Sequence, residues 1–306
     1  MSTSPEPAQH DHDDEFDRGL AYDLGTLSAN FGRRRMLGLV GGAAAAVALA
    51  ACGSSSSDGS PTTTAAASAT TATTAASSGG PGGGPPSGGG GGAAMETPEG
   101  QIPEETNGPY PADGTNGVDV LTTDGIVRKD ITSSFGDASG TADGVPLTVE
   151  FVVTDTDGNA LEGYAVYAWH CTADGLYSMY SDSVTDENFL RGIQAADSKG
   201  LVTFTSIFPG CYSGRWPHIH FEVYESVDSA TSGGDRISTS QLAFPADICN
   251  EIYDADSRYS ASVSNLSRLT LETDSIFADS WEEELGTMSG SVDDGLTVRL
   301  DVPIAV

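Results

Sequence analysis

Between Phe208 and Phe221 the chain reads Phe-Pro-Gly-Cys-Tyr-Ser-Gly-Arg-Trp-Pro-His-Ile-His-Phe, which gathers Tyr212, Arg215, His218 and His220 within nine residues. His218 and His220 are two apart and interleave with the apolar positions Ile219, Phe221 and Val223. On a β-strand, residues i and i+2 share a face, ~6–7 Å apart along the chain. Both imidazoles then converge on one point, as two ligands of one metal must, while the odd positions enter a core. The plain alternative is a pair of satisfied polar histidines near a surface. The neighbouring tyrosines favour the metal. Tyr212 lies six residues before His218, after a Pro-Gly turn, and Tyr177 lies further back in Asp174-Gly175-Leu176-Tyr177-Ser178. A phenol ordinarily ionises near ~10, so it becomes a ligand only when a strongly Lewis-acidic ion removes its proton. Hard phenolates with imidazoles suit ferric iron, and zinc is the competitor.

The elements that must carry these residues read as strands. Val145 to Thr154 alternates, with Leu147, Val149, Phe151 and Val153 on one face. Asp155-Thr156-Asp157-Gly158-Asn159 is a turn, without the spacing of a calcium loop. Gly163 to Cys171 is a second strand running into the Asp174-Gly175 turn, which leaves Tyr177 at a sheet rim. Asp182 to Ala196 reads as a long connection with a helical turn around Phe189-Leu190-Arg191. Leu201 to Phe208 alternates again, with Val202, Phe204 and Phe208 inward. Ile237 to Phe244 is a strand carrying Gln241. Pro245 to Asp254 reads as one short helix whose Ile248, Ile252 and Tyr253 share a face. Gly295 to Ile304 is the last strand. No dinucleotide fingerprint, P-loop or internal repeat occurs, and short strands at this spacing predict an all-β sandwich.

The pair of motifs, Asp174-Gly175-Leu176-Tyr177-Ser178 and the stretch from Phe208 to Phe221, resembles the intradiol ring-cleavage dioxygenases, which are non-haem ferric enzymes. The likeness runs over about residues 102 to 306 and is tightest in 164–180 and 201–224. It implies the family's β-sandwich and Fe(III) held by Tyr177, Tyr212, His218 and His220. Two tyrosinates and a hydroxide would neutralise that ion. The resemblance further implies that a catechol chelates the iron, that Tyr212 leaves to admit it, and that the ring opens between its hydroxylated carbons with O2 to a cis,cis-muconate. No organic cofactor or external reductant is needed. Arg215 falls at the family's active-site arginine, where a fixed guanidinium would stabilise the anionic substrate. Gln241 matches a glutamine lining the cavity, and Gly108-Pro109-Tyr110 a segment beside it. Trp216 departs from the family's smaller residue. A non-catalytic module that binds catechols or ferric iron is the alternative.

Residues 1–52 read as an export signal. Arg33-Arg34-Arg35-Met36-Leu37 follows the twin-arginine pattern, with Gly32 where Ser or Thr is usual. The apolar run Leu37 to Ala51 is shorter than the ~20 residues of a membrane span. It ends in Leu49-Ala50-Ala51-Cys52, which resembles a lipobox and predicts a lipid anchor at Cys52 on the outer face of the cytoplasmic membrane. His10-Asp11-His12 belongs to the discarded leader. Residues 53–101, rich in Ser, Thr, Ala, Gly and Pro, read as a disordered linker. Residues 102–306 form the sandwich domain.

With 44 acidic against 13 basic residues, the formal charge is −31. That balance excludes nucleic acid as a partner and weakly disfavours a carboxylated substrate. Catechol, protocatechuate, hydroxyquinol and larger aromatic fragments stay open, as does a homo-oligomer. Beyond the leader the histidines are His170, His218 and His220, and His170 reads as structural. Cys171, Cys211 and Cys249 allow three pairings, and outside the cytoplasm a Cys211–Cys249 bridge is favoured. Ligation by Cys211 is the sharper alternative. It conflicts with Tyr212, because strand neighbours face opposite ways.

Overall fold

The computed structural model describes residues 97–292 and 294–306. The expected leader over 1–52, its Cys52 anchor, and the linker as far as residue 96 lie outside the described residues.

Two four-stranded sheets face one another. The first has the order β4 (Leu201–Ile207), β1 (Pro146–Asp155), β8 (Gly295–Ile304) and β7 (Thr287–Ser291). β1 and β8 run parallel, with Leu147 opposite Leu296, Val149 opposite Val298 and Phe151 opposite Leu300. Every second residue of both strands is therefore buried, while Arg299 and Asp301 of β8 face solvent. This alternation is what one solvated face and one core face require.

The second sheet has the order β3 (Arg191–Ala195), β2 (Ala165–Trp169), β5 (His218–Tyr224) and β6 (Ser238–Ala243), all antiparallel. β2, β5 and β6 are buried along their whole length. One face, with Ile219, Phe221 and Val223, packs on the first sheet, and the rings of Phe221 and Phe151 lie 4.8 Å apart. The opposite face is covered by an apolar segment that includes Ala112, Val120, Leu121 and Ile126, packed with Tyr167 and Trp169. His218 and His220 point to that second, roofed face.

The all-β sandwich expected from the sequence is the fold observed. One stretch is corrected. Asp182 to Ala196 is not a connection with a helical turn at Phe189–Arg191. The 3-10 turn is Asp182–Val184, and Arg191 opens strand β3. β7 was also invisible in the sequence.

Among the described residues the α-helices are short: α1 (Val227–Thr231), α2 (Ala246–Ala255), α3 (Ser260–Leu266) and α4 (Trp281–Glu284). In α2 the buried positions are Cys249, Ile252 and Tyr253, with Ile248 only partly covered. Ile102 donates its N–H to the Pro303 carbonyl at 2.9 Å, tying the start of the sandwich to β8. Among the described residues no helix is long and apolar enough to cross a membrane.

Candidate metal centre

The histidine pair is set by β5 and its neighbours. His220 lies opposite Trp169 of β2 and Gln241 of β6, and its ring stacks on the indole at 5.0 Å and 3°. Its other side is closed by Gly108, whose φ is +66° and where a Cβ would lie 3.2 Å from the His220 Cε1. Only glycine tolerates both that backbone and that approach. His218 Nδ1 donates to the Trp216 carbonyl, which leaves Nε2 as the lone-pair nitrogen. That Nε2 sits 3.1 Å from Nε2 of His220 and 3.3 Å from the Tyr212 hydroxyl.

Both imidazoles are held neutral. Burial and then the Arg215 charge push His218 down to about 3. Burial, His218, Arg215 and Arg191 hold His220 well below its ordinary value. Neutral imidazole is the ligating form.

The tyrosines arrive from two loops. Thr172 and Leu176 close a turn, through Thr172 N–H to the Leu176 carbonyl at 2.8 Å and Leu176 N–H to Thr172 Oγ1 at 2.9 Å, which presents Tyr177. The Tyr177 ring is buried, 5.9 Å from the Tyr212 ring and 6.4 Å from that of His220. It also lies against Tyr110 at 4.8 Å. Tyr212 stands in the loop between β4 and β5, fixed to α3 by Cys211 N–H to Ser262 Oγ at 2.8 Å and by Asn265 Nδ2 to the Cys211 carbonyl at 2.9 Å. The structure thus brings Tyr177, Tyr212, His218 and His220 together. Among the described residues no cluster of three His, Cys, Asp or Glu side chains is built to hold a metal. A cation at the two histidines would draw its anionic ligands from the phenols, and a ferric ion fits that donor set.

Arg215 is buried and not a surface group. Its Nε meets Asp274 Oδ1 and Oδ2 at 3.2 and 3.1 Å, and Nη2 donates to Gln241 Oε1 at 2.7 Å. Gln241 Nε2 in turn donates to the Thr106 carbonyl at 2.9 Å. Asp274 also accepts the Trp216 N–H at 2.7 Å. Nothing in the sequence marked Asp274, one carboxylate among many and 59 residues from its arginine. Nor did it mark Glu105 and Glu284, which share the Ser280 hydroxyl at 3.4 and 3.0 Å. Burial and then Asp279 push Glu105 up to about 8, and burial and then Glu105 push Glu284 up to about 9.

The cysteine expectations are corrected. Cys171, Cys211 and Cys249 are all free and buried, so the favoured Cys211–Cys249 bridge is not formed. Burial raises the Cys211 thiol, and its Sγ–H points at the Arg215 carbonyl at 3.5 Å, so it is no thiolate ligand. Cys211 does turn away from the site, although it stands in a loop and not on a strand. Trp216 packs into the core between the sheets and donates its indole N–H to the Phe244 carbonyl at 2.8 Å. His170 joins the Cys171 carbonyl at 2.8 Å to Ser206 Oγ at 2.7 Å.

A family model described as a dioxygenase matches residues 124–219, which include Tyr177, Tyr212, Arg215 and His218. The chlorocatechol 1,2-dioxygenase of Rhodococcus opacus is 31% identical over 114 residues, 31% of this chain and 42% of that protein. The hydroxyquinol 1,2-dioxygenase of Nocardioides simplex is 30% identical over 142 residues, 40% of this chain and 44% of that protein. The chain therefore spans less than half the length of these two curated relatives. A solved intradiol ring-cleavage dioxygenase from Tetranychus urticae is 26% identical with a TM-score of 0.53, covering 67% of this chain and 94% of that one.

Proposed function

Because the chain belongs to the intradiol ring-cleavage dioxygenase family, we propose that it opens a catecholic ring between its two hydroxylated carbons. Both atoms of O2 enter a cis,cis-muconate-type product. The ion is non-haem Fe(III), held by Tyr177, Tyr212, His218 and His220. The observation that carries this reading is the convergence of the Tyr212 hydroxyl and His220 Nε2 on the lone-pair nitrogen of His218, at 3.3 and 3.1 Å.

A bound ferric ion would draw electron density from the catecholate and make a ring carbon reactive towards O2. The chain's own groups do the rest. Tyr212 is only half-buried whereas Tyr177 is buried, so Tyr212 is the phenolate that would turn away and take one catechol proton on its Oη. Arg215, held by Asp274 and Gln241, puts a fixed positive charge beside the ring as negative charge develops on its oxygens. Trp169 and the Gly108–Tyr110 segment exclude water from His220.

The leader residues Arg33 to Leu37 and the Leu49-Ala50-Ala51-Cys52 sequence support a second part of the proposal. The protein is exported and held by lipid at Cys52 on the outer face of the cytoplasmic membrane. The test of function is an oxygen-electrode screen of catechols with the product weighed. Uptake matched by a product carrying both oxygen atoms is expected. Chelation of catechol without uptake would make the protein a binder instead.

A further inference from the structure

Arg191 opens β3 and is 1% exposed. Its five hydrogen bonds all run to uncharged oxygens: Ser178 Oγ at 3.1 Å and its carbonyl at 2.9 Å, the Tyr110 carbonyl at 2.9 Å, the Pro111 carbonyl at 3.2 Å and the Tyr167 hydroxyl at 3.2 Å. Burying a cation against neutral acceptors alone is unfavourable, and an apolar side chain would avoid the cost. What the guanidinium adds is geometry, because its planar fork fixes three chain segments at once.

Two of those segments are strained, and so is the residue before Arg191 itself. Among the described residues, the non-glycine residues with left-handed φ are Ala112 at 51°, Met179 at 70° and Leu190 at 57°. Each is the chain neighbour of a residue in this staple, namely Pro111, Ser178 and Arg191 itself. Such conformations persist only where their surroundings over-determine them, and they gather where position matters. Two of the segments build the metal centre. Ser178 follows Tyr177. The Tyr110 segment lays its ring on Tyr177 at 4.8 Å and sets Gly108 against His220.

We propose that Arg191 is a positioning residue that holds Tyr177 and the Gly108–Pro111 wall in ligating geometry before the ion arrives. The proposal rests on the ferric reading of the site and assigns a role to a side chain that touches neither ion nor substrate.

The test is ferric affinity by chelator competition, the visible band of the iron-saturated protein, and the melting temperature of the iron-free protein, measured for Arg191→Lys. Lysine keeps the charge and loses the fork. The expected result is a folded protein with affinity lowered ~10–100-fold and a shifted, weaker band. Ser206→Ala, which cuts the remote His170 bond, is the control. It should lower the melting temperature and leave affinity and band unchanged. Wild-type affinity and band in Arg191→Lys would overturn the proposal. So would a Ser206→Ala protein that loses as much affinity for the same loss of melting temperature. If Arg191→Lys does not fold, Ser178→Ala removes one arm of the staple and should move affinity and band the same way by less; no movement there overturns the proposal. A wild-type protein that takes up ferric iron without a tyrosinate band would sink the reading of the site itself, and this inference with it.

Discussion

Arg215 and Asp274 form an ion pair sealed from solvent, with Nε 3.1 Å from Oδ2 and side-chain exposures of 2% and 0%. The pair joins the loop that leads into the histidine strand to a bend far along the chain. The same carboxylate also binds the backbone N–H groups of Trp216, Ile276 and Phe277, at 2.7, 2.9 and 3.2 Å. A guanidinium so restrained keeps one orientation towards Gln241 and the site, which is what stabilising a developing negative charge requires.

Arg215→Ala is therefore expected to keep the iron and its colour and to lose turnover by ~10²–10³-fold, the loss typical of one preorganised charge donor. Steady-state oxygen uptake beside the visible spectrum checks this. Normal turnover would remove Arg215 from the mechanism.

Asp274→Ala removes one partner of the buried pair and is expected to cost about 3 kcal/mol or more in a urea titration. Burial alone would raise the Asp274 carboxyl. The Arg215 charge and the three N–H donors outweigh it and hold the group below its ordinary value. Its stabilisation is thus present above the unfolded value of ~3.9 and is lost as pH falls through the folded one. Asp274→Asn should flatten the acid limb of stability against pH, and an unchanged limb would contradict the assignment.

Glu105 and Glu284 have the opposite sign. Their folded values, about 8 and about 9, lie above the ordinary carboxyl range, so the folded state holds protons that the unfolded chain has released. Stability should decline as pH rises from ~4.5 towards ~8–9. Glu284→Gln should remove much of that decline, gaining about 1 kcal/mol or more at pH ~9 relative to wild type. Thermal melts at several pH values measure it, and parallel curves for the two proteins would refute it.

The cysteines give a direct chemical check. Alkylation under denaturing, non-reducing conditions should label Cys171, Cys211 and Cys249 in peptide mapping, since all are free. Native protein should react slowly, because burial raises each thiol. Missing labels on Cys211 and Cys249 together would restore their bridge, and any other missing pair would equally contradict three free thiols.

Where the sequence was legible, a strong local period lay behind it. β8 runs from Gly295 to Ile304 as read, because its apolar residues alternate without a break. The two-residue step from His218 to His220 likewise located one face of β5. β3 was missed because Arg-Gly-Ile-Gln-Ala has a glycine at its second position and opens on a buried arginine where a strand core would have an apolar residue. β7 was missed because Thr-Met-Ser-Gly-Ser is mostly exposed and leaves no apolar pattern. Asp274, Thr106 and the Arg191 staple act across long chain separations, and no local spacing encodes such a meeting. The cysteine bridge was an argument from compartment, which says nothing of where three thiols point.

The central claim is that two phenols and two imidazoles close round one oxidised iron. The most direct measurement is the visible spectrum of the protein loaded with one ferric ion, for wild type and Tyr177→Phe. A red-brown tyrosinate-to-iron band in the wild type, lost or greatly weakened in Tyr177→Phe, is expected. A colourless wild-type protein at full iron occupancy would contradict the account.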